Sequence, residues 1–412
     1  MAHSAESAAV AQLRSPETIR ARCREILARA DAGALGYFRL EREHLDATAD
    51  YVLATIEDRY PDLDIPFHSR WRHFQVGGID RWRSLRGRLE GASRDQIARA
   101  RIDLAVTSVL LDAGAGDEWR YLEPASGMSY ARSEGLAVAS FDMFAAGAFS
   151  AHADAPLRAD ARALTALAPR RLDEAFQVHK DNPLLGSAGR VALVQSLGKA
   201  LDADAELFGA ENPRPGHLYD YLVSRAAGKQ LPAREILAAV LRGLAPIWPG
   251  RLRLGNENLG DVWHHPAIER DDPSHALVPF HKLSQWLSYS LVEPLEEAGL
   301  RVSALDALTG LAEYRNGGLF VDLGVLAWMN PADAERSHDV GSEPVVEWRA
   351  LTVALLDELA VLVRARLDLD AERLPLIKIL EGGTWAAGRR AARKRRPGGG
   401  SPIAVASDGT VF

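Results

Sequence analysis

The sequence predicts a mainly α-helical fold with a few short strands. Three observations support this fold class: helix-start signals recur along the chain, apolar residues repeat with a helical period, and clear period-two alternation is rare. The chain has 412 residues, of which 47% are hydrophobic and 25% are charged, as in an ordinary globular protein. We expect one large helical region over residues 1–386, with two lobes as the alternative arrangement, and a basic, glycine-rich tail over residues 387–412.

The predicted helices have recognisable beginnings and ends. Ser15 and Pro16 open a helix whose sequence RARCREILARADAG runs to a terminal glycine. Ser93 and Gln96 have the spacing of a capping box, ahead of a helix that we expect to end at Gly114. Further helical periods cover residues 233–248, 284–299 and 345–370.

The C-terminal segments carry a different signal. IAVASDGTVF is the best strand or hairpin candidate, with Asp408-Gly409 as its turn. Upstream, RRAARKRR (389–396) carries six positive charges. A solvated flexible tail explains this run, and a contact to phosphate or RNA is the alternative.

Composition and charge narrow the function classes. The formal net charge of -7 disfavours a body that wraps DNA. The single cysteine, Cys23, excludes an internal disulfide and a cysteine metal cage. The N-terminal MAHSAESAAV lacks a secretory signal, and no apolar run reaches the roughly 20 residues of a membrane helix. We therefore expect a cytoplasmic protein without a DNA or membrane partner; the sequence leaves the oligomeric state open.

The segment LVPFHKLSQWLSYSL (277–291) is a candidate binding surface. On a helix, Lys282, Gln285 and Tyr289 share one face, and Phe280 and Trp286 lie beside it. A cation, an amide and aromatic rings on one face suit a planar polar ligand with a negative group. The alternative is an amphipathic helix whose polar stripe meets water.

Glu347 is a carboxylate on an apolar helix face. The residues three, four, seven and eight positions after it are all alanine or leucine. Because burial of an unpaired carboxylate costs several kcal/mol, Glu347 needs a partner, and Arg315 and Arg349 are candidates. A structural ion pair and an active-site carboxylate with a tuned pKa are both consistent with this position.

The segment LAEYRNGGLFVD (311–322) reads as the end of a helix that runs into a loop. Glu313 and Arg315 lie just before Gly317-Gly318, where the backbone can approach a ligand closely, and Asp322 follows an apolar run. A helix C-cap with a surface ion pair is the alternative.

Other motifs are weaker. RWRHFQVGGIDRW (70–82) combines Phe74 and Gln75 with a glycine pair, but it is not a dinucleotide fingerprint. The chain has no phosphate-binding loop of the Walker type and no nucleophile elbow.

Histidines cluster between residues 264 and 281. His264, His265, His275 and His281 lie near Asp261 in the sequence. No HExxH motif occurs, and adjacent histidines on a regular element point apart. We therefore expect neither a metal nor another cofactor.

Six ordered blocks resemble a known family. They are HFQVGGIDRW, SVLLDAGAGDEWRY, RSEGLAVASFDMF, VPFHKLSQWLSYSL, LTGLAEYRNGGLFVDLGVL and EWRALTVALLDEL. Together they are similar to the uracil-catabolism proteins of fungi and bacteria, a family with a domain of unknown function. The resemblance implies a place beside a uracil phosphoribosyltransferase and a ring-opening enzyme like a GTP cyclohydrolase, with a ribosylated urea as the intermediate.

About 75 residues of the C-terminal half also resemble the queuosine-salvage N-glycosidases, which release a base from a nucleoside 5'-phosphate. The matching residues are Phe280, Lys282, Gln285, Tyr314, Arg315, Gly324, Leu326, Glu347 and Arg349. Glu313 stands where that family usually has aspartate. This resemblance implies a helical, DNA-glycosylase-like bundle that does not need DNA.

These observations lead to the hypothesis of an N-ribosidic bond hydrolase that acts on ribosylurea or its 5'-phosphate. Glu313 is the expected catalytic carboxylate, with Glu347 as second choice. The expected substrate contacts are Phe74, Gln75, Phe280, Lys282, Gln285, Trp286, Tyr314, Arg315, Asp322 and Arg349. The alternatives are a non-catalytic protein that binds a pyrimidine-derived intermediate and a metal-dependent amidohydrolase that acts on the ureide.

Overall fold

The computed structural model describes residues 2–112, 114–248 and 251–406. Helices dominate it, which confirms the prediction of a mainly α-helical fold; the DNA-glycosylase-like arrangement stays a prediction. The longer helices are Ala2–Leu13, Pro16–Asp31, Glu43–Arg59, Arg94–Leu110, Arg132–Ala145, Ser187–Ala203, Ala233–Leu244, Lys282–Glu297, Glu343–Leu367 and Trp385–Arg395. The shorter ones are Arg70–Phe74, Arg81–Arg86, Ala161–Thr165, Pro169–Ala175, Ala205–Phe208, Leu218–Arg225, Tyr314–Asp322 and Leu376–Ile379. Within the described ranges, no helix is both long and apolar enough to cross a membrane.

The strands are two or three residues long and pair two by two. The antiparallel pairs are Phe38–Leu40 with Leu326–Trp328, Tyr121–Leu122 with Ser129–Tyr130, Arg253–Leu254 with Glu257–Asn258, and Val262–His264 with Leu277–Pro279. The parallel pairs are Gln230–Pro232 with Arg301–Ser303, and Ser337–Asp339 with Ala404–Ala406. A C-terminal strand is thus present, whereas the predicted turn at Asp408-Gly409 lies outside the described residues.

The chain forms two compact units, each built from separate segments. The first unit contains residues 2–68, 251–285 and 304–406. The second contains residues 69–112, 114–248 and 286–303. The chain leaves the first unit for the second time after Gln285, within the helix Lys282–Glu297.

The helix Glu343–Leu367 organises the first unit. It packs against the helices Pro16–Asp31, Glu43–Arg59 and Tyr314–Asp322, and most of its first five turns are buried. The predicted start at Ser15 is confirmed, because its hydroxyl accepts the N–H of Thr18 at 3.1 Å. This bond satisfies one of the orphan donors at the helix start.

The second unit contains the long helix Arg94–Leu110, which packs against Arg132–Ala145. Its predicted capping box is confirmed: the Gln96 N–H donates to the Ser93 hydroxyl, and the Gln96 side chain accepts the Ser93 N–H. The predicted end at Gly114 is wrong, since the helix ends at Leu110. The chain turns there, and the Asp112 carboxylate pairs with buried Arg70 at 3.1 Å.

Candidate functional site

The segment around Glu313 begins a helix, so its interpretation as a helix end is wrong. Glu313 has extended backbone angles and caps the helix Tyr314–Asp322. One carboxylate oxygen accepts the N–H of Arg315 at 2.8 Å, and the other accepts the N–H of Asn316 at 2.6 Å. These N–H groups have no partner within the helix, and the positive end of the helix dipole favours a carboxylate there.

The glycine pair that suggested a break lies inside this helix. A Cβ on Gly317 would lie 2.6 Å from Nε1 of Trp348 and 2.7 Å from Oγ1 of Thr352. Only a residue without a side chain fits such a distance. Gly317 therefore lets the helix Tyr314–Asp322 lie close to the helix Glu343–Leu367.

Glu313 is a buried carboxyl group among positive charges. Burial raises its pKa, and the backbone N–H groups that it binds and the charges of Lys282 and His68 oppose that rise. Its relative exposure is 8%, so water screens these charges little. A carboxyl group with a raised pKa inside a charged cluster is a candidate for acid–base chemistry.

His68 forms a buried dyad with a second glutamate. Its Nδ1 lies 2.8 Å from Oε2 of Glu381, whose other oxygen lies 3.4 Å from Arg59. Glu381 belongs to the π-helical turn Leu380–Thr384, a type of distortion that is frequent at functional sites. The dyad fixes the orientation of the imidazole ring, whose charge acts on Glu313.

A side-chain bond links this π-helical turn to the turn that Glu313 caps. The hydroxyl of Thr384 donates to Oδ1 of Asn316 at 2.8 Å, and both residues are fully buried. The first turn of the helix Tyr314–Asp322 and the turn that carries Glu381 therefore hold each other in place.

Asp261 joins the start of another helix to a buried arginine. Its oxygens lie 2.7 and 2.8 Å from the terminal nitrogens of Arg349, and it accepts the backbone N–H of Lys282 at 2.9 Å. Burial alone would raise the pKa of Asp261, but the Arg349 charge and these hydrogen bonds take it below its usual range. Arg349 also lies 4.2 Å from the ring centroid of Phe280. Arg349 is thus already paired with a carboxylate.

Other predicted residues of the first unit lie in separate contacts. Asp322 ends the helix that Glu313 begins, and both of its oxygens lie 2.6 Å from Arg396, the last residue of the basic run. The guanidinium of Arg315 lies 4.7 Å from the ring centroid of Tyr314 and donates to the carbonyl of Gly399. Gln285 is fully buried.

Glu347 belongs to a different cluster from Glu313. Its carboxylate accepts the N–H groups of residues 36, 37 and 38 at 3.1 to 3.2 Å. Nε2 of His265 lies 3.6 Å from it, and Glu343 completes a group whose ligand atoms lie within 4.8 Å of one another. Glu347 thus holds the strand that begins at Phe38.

The histidine of this cluster presents a proton rather than a lone pair. Nδ1 of His265 accepts the N–H of Ala267 at 3.2 Å. In the neutral ring the proton is therefore on Nε2, which faces Glu347. A cation at this position would meet that proton, so the donor set fits a metal poorly. His281 lies apart from it: its Nε2 binds the Leu13 carbonyl at 3.0 Å, and burial lowers its pKa to about 4.

Three predicted contacts lie in the second unit. Phe74 is buried among aromatic rings, at 5.4 Å from Trp71 and 5.3 Å from Phe141 between centroids. Gln75 follows the helix Arg70–Phe74 and is exposed. Trp286 packs edge-on against His73.

Sequence reasoning did not identify His68, Asn316, Glu381 or Thr384. Residues 380–385 read LEGGTW, in which an acid and a hydroxyl flank a glycine pair. This segment therefore offers a local signal for Glu381 and Thr384. Nothing local indicates that residue 381 lies against residue 68, because the two are 313 positions apart.

Comparison with known proteins shows similarity along the whole chain. A family model described as "Protein of unknown function (DUF1688)" matches residues 12–412. Protein urg3 of Schizosaccharomyces pombe is 40% identical over 411 residues, which cover 98% of this chain and 99% of that protein. Uracil catabolism protein 4 of Lachancea kluyveri is 40% identical over 412 residues, which cover 92% and 93% of the two chains. The resemblance to the queuosine-salvage N-glycosidases stays a prediction.

Proposed function

We propose that this chain, which belongs to the DUF1688 family of proteins of unknown function, is an N-ribosidic bond hydrolase of uracil catabolism. The name of the Lachancea kluyveri relative supports the pathway. The substrate would be ribosylurea or its 5'-phosphate, and the products would be urea and the ribose. The observation that carries the proposal is the buried Glu313, whose oxygens bind two backbone N–H groups at a helix start and on which the charges of Lys282 and His68 act.

Glu313 has the properties that the sugar half of this reaction needs. An N-ribosidic bond breaks through an oxocarbenium-like sugar, and a carboxylate beside C1' stabilises that cation. As the water oxygen attacks C1', Glu313 takes one proton from the water. A raised pKa makes its carboxylate a better base than an ordinary glutamate. The helix cap holds the group in one orientation.

The His68–Glu381 dyad has the properties that the leaving group needs. When the C1'–N bond breaks, the electron pair stays on the urea nitrogen, which must gain a proton. We assign that proton to Nε2 of His68, because Glu381 binds the opposite ring nitrogen. The proton that Glu313 has taken returns to solvent, and His68 is reprotonated, so the cycle is balanced.

Lys282 is the cation that we assign to a 5'-phosphate. It is the first residue of the helix Lys282–Glu297, and its charge acts on Glu313. The backbone N–H of Lys282 already binds Asp261, so the ammonium group is the part of this residue that we assign to the phosphate. We do not assign this role to Arg349, because its two terminal nitrogens bind Asp261.

The test is urea release by the purified protein from ribosylurea and from its 5'-phosphate. We expect Glu313→Gln and His68→Gln each to lower kcat by about 10²- to 10⁴-fold, the usual contribution of a general base or acid. Glu335→Gln is the matched control, because Glu335 is an exposed glutamate of the same unit.

Absence of urea release from both substrates would overturn the hydrolase. If the wild-type protein and Glu313→Gln then bind the substrates equally, the protein is a binding protein of the pathway. If urea release persists in Glu313→Gln but not in His68→Gln, the reaction stands and the assignment of the base is wrong.

A further inference from the structure

The second unit contains a cavity of about 570 Å³ that lies among arginines. Its walls include Arg83, Arg86, Arg94 and Arg101, together with Trp82. All its lining residues belong to the second unit, and none of them has a role in the proposed reaction. A volume in this range suits a small organic ligand.

Helical spacing places these arginines on helix faces that line the same cavity. Arg83 and Arg86 are three positions apart on the helix Arg81–Arg86, so they share a face. Arg94 and Arg101 are seven positions apart on the helix Arg94–Leu110, and they also share a face. Two neighbouring helices thus present two cations each to the same cavity.

Three of the four guanidinium groups have no acidic partner. Arg83, Arg86 and Arg94 are exposed, and their side chains form no ion pair or hydrogen bond with any residue in the described ranges. The cavity wall has three acids: Asp80 caps the helix Arg81–Arg86, Glu297 pairs with Arg101, and Glu296 also has a partner. Four arginines against three acids leave the wall with an excess of positive charge.

The fourth arginine is a buried cation with an unused donor. Arg101 is 3% exposed, and its guanidinium lies 3.9 Å from the ring centroid of Trp71 and 5.4 Å from that of Trp82. Its Nε is buried and has no hydrogen-bond partner among the residues that the structure describes. A buried donor is costly to leave unpaired, and Arg101 belongs to the wall of the cavity.

We propose that this cavity binds a small organic phosphate, of a size between a sugar phosphate and a mononucleotide. Arginine forks match phosphate oxygens in pairs, so the three guanidinium groups without an acidic partner, those of Arg83, Arg86 and Arg94, suit this ligand. Trp82 would contact the organic part of the ligand. The proposal does not depend on the proposed reaction at Glu313.

Calorimetric titration with ribose 5-phosphate and uridine 5'-monophosphate tests the proposal, with uridine as the uncharged comparison. The titrations use the full chain carrying Lys282→Gln, so that a phosphate held near Glu313 does not contribute. We expect one site that binds at least one of the two phosphate compounds and does not bind uridine. The affinity of this site should fall as the NaCl concentration rises.

The decisive variant is Arg83→Gln with Arg94→Gln. Both side chains are exposed, so the unit should fold, and we expect the affinity to fall about tenfold or more. Arg162→Gln with Arg171→Gln removes the same charge from exposed positions of the same unit outside this cavity, and we expect the affinity to change less than about twofold. No binding of either phosphate at about 1 mM, or an equal loss in the control pair, would overturn the proposal.

Discussion

At the scale of single residues, two carboxyl groups of the first unit, Asp261 and Glu313, are held in different ways. Arg349 is fully buried and has Asp261 as its charge partner. Glu313, by contrast, is held by backbone N–H groups and retains a raised pKa. The Asp261–Arg349 pair is a structural cross-link, whereas we propose a proton-transfer role for Glu313.

We expect Asp261→Asn to lower the free energy of unfolding by about 3 kcal/mol, because it leaves the buried Arg349 charge without compensation. Chemical denaturation monitored by circular dichroism measures this loss. Asp58→Asn is the control, since Asp58 is an exposed aspartate of the same unit, and it should change stability by less than about 0.5 kcal/mol. An equal stability of Asp261→Asn and wild type would show that the pair contributes nothing.

The raised pKa of Glu313 also predicts a pH dependence of stability. The native state keeps the proton of Glu313 at pH values at which the unfolded chain has released it. The resulting stability is fully present below the ordinary carboxyl pKa of about 4.3 and is lost as the pH rises through the raised value. We therefore expect the unfolding free energy of wild type minus that of Glu313→Gln to fall as the pH rises from about 4 to 7.

Glu335→Gln is measured in parallel as the control, because Glu335 is an exposed glutamate of the same unit. A difference between wild type and Glu313→Gln that does not change with pH would contradict a raised pKa.

At the scale of single elements, the helix Tyr314–Asp322 shows what local signals miss. Glutamate is not among the preferred N-cap residues, and a glycine pair usually weakens a helix, so the segment looked like a helix end. Contacts distant in sequence reverse that balance, because Gly317 allows Trp348 and Thr352 to approach. Ser15 and Ser93 were predictable, since their caps use only neighbouring residues.

We expect Gly317→Ala to destabilise the protein by about 1–3 kcal/mol, since its Cβ overlaps Trp348 and Thr352. Gly189→Ala is the control, with an expected effect on stability of the opposite sign. Gly189 lies in the helix Ser187–Ala203 with nothing within 4 Å of an added Cβ, so alanine should stabilise by about 0.5–1 kcal/mol. Thermal and denaturant unfolding of the two variants measure the contrast, and a stabilising Gly317→Ala would show that the two helices have room to separate.

At the scale of the whole molecule, the helical class was predictable and the assembly of the site was not. Helical periods are local, so composition and spacing revealed them. The family resemblance relates Lys282 to Glu313, but no sequence pattern relates either residue to His68 or Glu381. The predicted stripe of Lys282, Gln285 and Tyr289 is divided between the units, with Lys282 and Gln285 in the first and Tyr289 in the second.

The helix Trp385–Arg395 is part of the first unit. Ala387, Gly388, Ala391 and Ala392 are buried, and a Cβ on Gly388 would overlap the carbonyl of Arg315. We expect a chain that ends at residue 386 to lose its cooperative thermal transition, because the helix Tyr314–Asp322 would lose its partner. Arg395→Gln removes only an exposed charge of the same helix and should unfold like wild type. An unchanged transition in the shortened chain would show that this packing is dispensable.

The division of the chain into alternating segments has a consequence for synthesis on the ribosome. The second unit is complete once Ser303 has emerged, whereas the first unit still awaits residues 304–406. Domains fold as units while the polypeptide grows, so the second unit, which contains the arginine-lined cavity, should fold first. The nascent N-terminal segment must then wait, with its apolar helix faces uncovered, for the segment that carries Glu313, and this interval is when the polypeptide most needs protection by a chaperone.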